Sequence, residues 1–301
     1  MKKFIILFLA LLALPCLALG ETVVTSFYPV WIMTLNLTSG LEDHVTVRNL
    51  AAPSFGCLHD YQLQPADMKA LAAADAFLIN GAGMEAFLPE ITRSLPDLPV
   101  IEASEGIELL EDGSAVEILE AEEEGETNSH IWLDPLRAVR MAENLAAGLI
   151  RILPGDEAAI TDNLSDYQAR LEALDSQLRQ GLKDLPRKDI VTFHEAFPYF
   201  AAAYGLNVVA VVNKEPGEVL TPAQLGELVR EIRVLGNPPL FVEPQYTDLS
   251  AKTLSAETGA PVYSLDPIVT GPESDVPLDY YETVMLRNMD TLITALSGEE
   301  S

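Results

Sequence analysis

Ser129-His130-Ile131-Trp132-Leu133-Asp134-Pro135 is the stretch from which the fold can be worked out. Asp134 is suited to accept a backbone N–H bond at a helix start, and Pro135 suits the first helical position. Apolar residues then recur at helical spacing, at Leu136, Val139, Ala142, Leu145, Ala146, Leu149 and Ile150. We therefore predict a helix that begins at Pro135 and holds the loop carrying His130 in place.

The segments on either side alternate between strand-like and helix-like patterns. The predicted strands lie at residues 22–26, 45–50, 76–79, 100–102, 189–193, 206–212, 240–242 and 262–265. Beside the helices at Pro135 and Ile160, helices are predicted through Trp31 and Leu37, from Pro65, and from a capping box at Thr221-Pro222-Ala223-Gln224. A closing helix is predicted over 280–296. This alternation predicts an α/β fold with mainly parallel sheets in two Rossmann-like lobes.

The longest helical pattern runs from Ile160 to Leu185, with apolar residues every three or four positions. A helix of that length is roughly 40 Å long at ~1.5 Å per residue. Because α/β patterns flank it on both sides, we predict a connecting helix rather than a coiled coil. The expected organisation is a leader at 1–20, an N-terminal lobe at 21–153, the connecting helix at 154–186 and a C-terminal lobe at 187–301.

The first twenty residues have the pattern of a secretory signal. Lys2 and Lys3 precede an apolar run over 4–14, and Ala18-Leu19-Gly20 resembles a cleavage site. We expect an exported, periplasmic or otherwise extracytoplasmic protein. Lipidation of Cys16 is the alternative, although the residues before it match the usual pattern poorly. After cleavage Cys57 would be the one cysteine left, so no internal disulfide is expected.

The charge of the chain is strongly negative. The sequence has 18 basic and 46 acidic residues, and loss of Lys2 and Lys3 leaves 16 basic residues and a net charge of −30. Such a charge predicts that the chain does not bind nucleic acid or anionic membrane surfaces, whereas cations are attracted. Eight of the acidic residues lie at 111–126, and we predict a mobile acidic loop over 111–127. It is either a solvated loop with no role, or it raises the local cation concentration near His130.

Three of the four histidines, His59, His130 and His194, each lie at a junction between a loop and a helix. Ligands bind beyond the carboxyl ends of strands in open α/β sheets, and both His194 and Asp266 follow predicted strands directly. Three imidazoles and a carboxylate from two lobes suit zinc in the cleft between them. Water, Asp60 or Glu243 are the alternatives to Asp266. His194 has no second histidine four residues later, which excludes a metalloprotease helix.

Six segments, in order along the chain, resemble the zinc- and manganese-binding solute-binding proteins of ABC transporters. They are Gly56-Cys57-Leu58-His59-Asp60-Tyr61, Asn80-Gly81-Ala82-Gly83-Met84-Glu85, His130-Ile131-Trp132-Leu133-Asp134-Pro135, Phe193-His194-Glu195-Ala196-Phe197-Pro198-Tyr199-Phe200, Phe241-Val242-Glu243-Pro244-Gln245 and Leu265-Asp266-Pro267. The resemblance implies two α/β lobes joined by one rigid helix, with the metal between them. It also implies delivery of the metal to a membrane permease that a separate ATPase powers.

Two features of the chain depart from what the resemblance implies. Zinc-selective members often carry a histidine-rich loop before the second ligand, and here that loop is acidic. Manganese members usually have a carboxylate at the third ligand position, and here the residue is His194, which favours zinc. We expect a monomeric zinc receptor and not an enzyme. The alternatives are a manganese or iron receptor of the same family, an exported zinc hydrolase, and an adhesion protein.

Overall fold

The computed structural model describes residues 20–58, 61–111, 127–212, 221–246 and 249–298. The predicted leader up to residue 19 and residues 112–126 of the predicted acidic loop lie outside these ranges. His59 and Asp60, named above as a candidate ligand and as an alternative ligand, also lie outside the described residues.

Two four-stranded parallel sheets form the framework of the two lobes. The first sheet has the strand order β2-β1-β3-β4, with β1 (Glu21–Thr25), β2 (Val45–Asn49), β3 (Ala76–Ile79) and β4 (Val100–Glu102). The second has the order β6-β5-β7-β8, with β5 (Asp189–Thr192), β6 (Asn207–Val211), β7 (Leu240–Val242) and β8 (Val262–Ser264). The predicted α/β fold with parallel sheets is confirmed. Because the strand order is the same in both lobes, each sheet reverses its direction of winding beside its first strand, where open sheets bind ligands.

The described helices follow the strands in the expected alternation. They are α1 (Tyr28–Leu37), α2 (Pro65–Leu71), α3 (Leu88–Ser94), α4 (Pro135–Ile152), α5 (Glu157–Leu182), α6 (Pro198–Tyr204), α7 (Pro222–Val234), α8 (Leu249–Thr258) and α9 (Tyr280–Leu296). The sequence did not predict α3, α6 or α8. Two of these have only seven residues, and α6 is buried on most sides, so neither offers the one-sided apolar stripe that marks a helix in sequence.

The start of α4 forms as predicted. The Asp134 carboxylate accepts a hydrogen bond from the Leu136 backbone N–H at 2.9 Å, and Pro135 occupies the first helical position. A single 3-10 turn, Ile131–Leu133, precedes this cap and directly follows His130. The loop of His130 is therefore attached at its C-terminal end to an 18-residue helix.

The long helix α5 joins the two lobes. It has 26 residues, about 39 Å at ~1.5 Å per residue, and it ends at Leu182, three residues before the end of the predicted pattern. The guanidinium of Arg170 on α5 donates hydrogen bonds to Asn36 of α1, to the Leu278 carbonyl and to Glu282 of α9. The helix is thus fixed to elements from both ends of the chain.

One continuous apolar core extends through both lobes. It contains Val24 and Phe77 from the first sheet, Leu171 from α5, and Phe241 and Leu292 from the second half. The second sheet also covers a smaller core on its other face, formed with α7 and α8 around Val191, Leu228 and Leu254, among others. No helix in the described ranges is long and apolar enough to cross a bilayer.

Candidate metal centre

Two histidines from different lobes meet in the interior of the protein. His130 lies before the 3-10 turn that leads into α4, and His194 lies two residues after the end of β5. Their side chains are almost completely buried, and the two Nε2 atoms are 3.1 Å apart. The structure therefore brings together two of the four residues that the sequence predicted as ligands.

Asn128 sets the orientation of the His130 ring. Its amide Nδ2 donates to the Glu195 carbonyl at 2.8 Å, so Oδ1 faces His130 and accepts from the His130 backbone N–H and from Nδ1, at 3.0 and 3.2 Å. Because Oδ1 can only accept, Nδ1 carries the ring proton and the lone pair lies on Nε2. Nε2 is the atom that faces His194, which is the arrangement of a metal-binding imidazole.

Trp132 supports the same ring from the other side. Its indole packs against the His130 ring with centroids 5.1 Å apart, and its Nε1 donates to the Pro267 carbonyl at 2.8 Å. The hydroxyl of Tyr281 on α9 donates to the Trp132 carbonyl at 2.6 Å. Contacts to the C-terminal half thus hold the loop that carries His130.

Cys57 is the third side chain beside these two histidines, and it was not predicted as a ligand from sequence. Its Sγ lies 3.5 Å from His130 Nε2. Within the described ranges, Cys57, His130 and His194 form the one group of His, Cys, Asp or Glu ligand atoms that all lie within 4.8 Å of one another. The Cys57-Leu58-His59 spacing, with two metal-binding residue types two positions apart in a loop, was the signal available in sequence.

Asp266 follows β8 closely, as predicted, but its carboxylate points to other partners. Oδ1 accepts from the Ile268 backbone N–H and Oδ2 accepts from Arg287, both at 2.8 Å. Burial raises the pKa of Asp266, and these two donors oppose the shift. Ile268 has a φ of +64°, which is strained for a β-branched residue, so the Asp266 bond helps to hold a distorted turn. Asp266 is not part of the group around His130.

Glu243 follows β7 and is also buried. Burial, and then the charge of Asp266, raise its pKa to about 8, so the neutral acid dominates at neutral pH. Its Oε2 accepts from the Gln245 amide at 2.5 Å, whereas Oε1 has no hydrogen-bond partner among the described residues. Within the described residues, Glu243 is not part of the group around His130.

The comparison with known families agrees with this geometry. Residues 23–295 match the family described as ZnuA, the periplasmic component A of the zinc-uptake complex. The chain belongs to this family. Its described role is that of a component of an uptake complex, and the resemblance inferred from the six sequence segments is confirmed.

Relatives of the chain include receptors for zinc and for manganese. The zinc-binding protein AdcA of Streptococcus pyogenes serotype M6 is 29% identical over 100% of this chain, which spans 63% of the length of AdcA. The manganese ABC transporter substrate-binding lipoprotein PsaA of Streptococcus anginosus is 28% identical, and the match covers 99% of this chain and 100% of PsaA. A crystal structure of ZnuA has a TM-score of 0.77 at 25% identity, covering 92% of this chain and 100% of that one.

Chemically, the centre offers two imidazole nitrogens and one sulfur, all buried, between the lobes of this ZnuA-family chain. In a tetrahedral zinc site with Zn–N bonds of about 2.05 Å, two ligand nitrogens lie about 3.3 Å apart. The observed 3.1 Å between His130 and His194 is close to that separation. The two rings are therefore spaced to hold a small divalent cation with little movement.

Proposed function

We propose that the protein is an extracytoplasmic receptor that binds one zinc ion per chain as cargo for an ABC importer. The observation that carries the proposal is the buried approach of His130 and His194 from different lobes, with Asn128 turning the His130 lone pair toward the site. Family membership supports zinc as the cargo.

We further propose His59, His130 and His194 as zinc ligands, with the fourth position taken by Asp266 or by another group. His59 is included as a ligand because of its position in the sequence, two residues after Cys57. Because four protein ligands fill a zinc site and leave no open position for a substrate, the protein is proposed as a receptor and not as a hydrolase.

The partners follow from the family role. The loaded receptor is proposed to deliver zinc to a membrane permease that a separate ATPase powers, and to act as a monomer. The leader predicted at residues 1–20 is proposed to direct export, with a lipid anchor at Cys16 as the alternative.

A manganese or iron receptor is the second candidate, and the similarity to PsaA favours it. The described ligand atoms favour zinc, because imidazole nitrogen binds zinc well whereas manganese prefers carboxylate oxygen. The decisive test is to remove metal from the purified protein, offer equal concentrations of zinc, manganese and iron, and measure the bound metal by elemental analysis. We expect one zinc per chain, and preferential binding of manganese or iron would overturn the zinc proposal.

Substitution of the histidines tests the location of the site. His130→Ala and His194→Ala should each lower zinc affinity by more than the ~10–100-fold that is typical of outer-shell changes. His44→Ala is the matched control, because His44 is half exposed and pairs with Asp43 and Asp156 instead. Titration against a competing chelator measures all three, and wild-type affinity in His130→Ala or His194→Ala would remove that residue from the site.

A further inference from the structure

Cys57 lies where the metal centre needs another ligand. Its side chain is buried, its Sγ is 3.5 Å from His130 Nε2, and it lies within 4.8 Å of the His194 ligand atom. A cysteine that only fills space in a core needs no such approach to two imidazole nitrogens.

The Sγ–Nε2 distance matches the spacing of ligands on zinc. Zn–S bonds of about 2.3 Å and Zn–N bonds of about 2.05 Å at a tetrahedral angle place sulfur and nitrogen about 3.6 Å apart. The observed distance between Cys57 and His130 is 3.5 Å. Both separations, nitrogen to nitrogen and sulfur to nitrogen, therefore agree with one tetrahedral centre.

The backbone before Cys57 is shaped for this position. Gly56 has a φ of +101°, and a Cβ at that residue would lie 2.9 Å from the hydroxyl of Tyr246. Glycine is therefore favoured by both the conformation and the close approach of Tyr246. The loop is thus packed between both lobes, which fixes where Cys57 can point.

Asp266 is less well placed than Cys57 to bind a metal beside His130 and His194. Arg287 and the Ile268 N–H bind its two oxygens, and its carboxylate is not within 4.8 Å of both imidazole ligand atoms. Its two oxygens are already held by the Arg287 guanidinium and by the strained turn at Ile268.

We propose that Cys57 binds zinc directly through Sγ, beside His130 and His194, while Asp266 stays paired with Arg287. The inference rests on the proposed zinc-receptor function and deepens it. On binding, the Sγ–H proton passes to water and the sulfur lone pair forms the Zn–S bond, so no oxidant or reductant is needed.

A sulfur ligand changes which metals the receptor accepts. Thiolate is a soft ligand that favours zinc over manganese and magnesium, which prefer oxygen. The acidic loop of this chain has no histidine with which to select zinc. Cys57 would then provide the discrimination against manganese. Its loss should therefore lower the preference for zinc as well as the affinity.

X-ray absorption spectroscopy of the zinc-loaded full-length protein tests the proposal directly. We expect one sulfur scatterer at about 2.3 Å beside the nitrogen shell at about 2.0–2.1 Å. Cys57→Ser should lose the sulfur shell, and the matched variant Asp266→Asn should keep it. A protein that binds zinc with nitrogen and oxygen scatterers alone would overturn the role of Cys57 and leave the zinc-receptor function standing. A protein that binds no zinc would overturn the proposed function instead.

Competition between metals is a second, independent test of Cys57 as a zinc ligand. With zinc and manganese offered together, Cys57→Ser should reduce the ratio of zinc to manganese affinity by more than ~10-fold, since a ligand and not an outer-shell group is lost. Asp266→Asn should change the ratio much less. An unchanged ratio in Cys57→Ser, or a larger fall in Asp266→Asn, would contradict the assignment.

Discussion

Replacement of Trp132 by Phe tests how strongly the two halves of the protein hold the His130 loop. Trp132 is fully buried, and its indole N–H donates to the Pro267 carbonyl on the opposite half. Phenylalanine keeps an aromatic ring in the core but removes this hydrogen bond. The substitution therefore removes one defined contact between the halves.

The size of the effect has two parts. Leaving a buried carbonyl without its donor costs about 1–3 kcal/mol. The smaller ring leaves a void of roughly 40 Å³, which costs about 1 kcal/mol at ~24 cal/mol per Å³. We expect Trp132→Phe to lower the free energy of unfolding by about 2–4 kcal/mol, the sum of these two estimates.

Trp31→Phe is the matched control. Trp31 is the other tryptophan, it is 9% exposed, and its Nε1 has no hydrogen-bond partner among the described residues. The volume effect of about 1 kcal/mol applies to it, and removal of an unpaired buried N–H offsets part of that cost. Urea unfolding followed by far-UV circular dichroism, with chelator present, measures both variants. Equal destabilisation of the two, within about 0.5 kcal/mol, would refute the importance of the Trp132–Pro267 bond.

Three further predictions concern pH, metal and shape. Burial raises the pKa of Glu85 from 4.5 to about 7, so its contribution to stability is fully present below pH 4.5 and is lost as pH rises through 7. The free energy of unfolding should fall by about 3 kcal/mol over this range. In Glu85→Gln the melting temperature should fall less between pH 5 and pH 7.5 than in the parent protein. An unchanged slope would contradict the role of Glu85. Zinc at about 100 times its dissociation constant should stabilise the protein by ~2.7 kcal/mol, seen in calorimetry as a rise on the order of 5 °C that a chelator reverses. Because α5 and the shared core brace both lobes, small-angle scattering should show nearly the same radius of gyration with and without zinc, and a large compaction would refute this bracing.

The elements governed by local chemistry were predictable from sequence. The cap at Asp134 and Pro135 and the capping box at Thr221 depend on residues within one helical turn, and both form as predicted. The long helix was recognisable because its apolar stripe repeats over many turns. The short helix α6 was missed because its buried residues leave no polar face to contrast with them.

The candidate site was only partly predictable, for a physical reason. The convergence of His130 and His194 followed from the rule that ligands gather at the carboxyl ends of strands, and the structure places the two together. The ion pair of Asp266 with Arg287 joins residues 21 positions apart through the tertiary fold, so no local sequence pattern predicted it. Whether His130, His194 and Asp266 bind metal stays a prediction.

The Tyr281–Trp132 hydrogen bond joins residues that are 149 positions apart. At a synthesis rate of roughly 5–20 residues per second, the ribosome makes the second partner on the order of ten seconds after the first. During that interval a growing chain already contains His130 and Cys57, but α9 is not yet there to support the loop between them and the second half. The support that the second half gives to the His130 loop is therefore complete only after the last helix has been made.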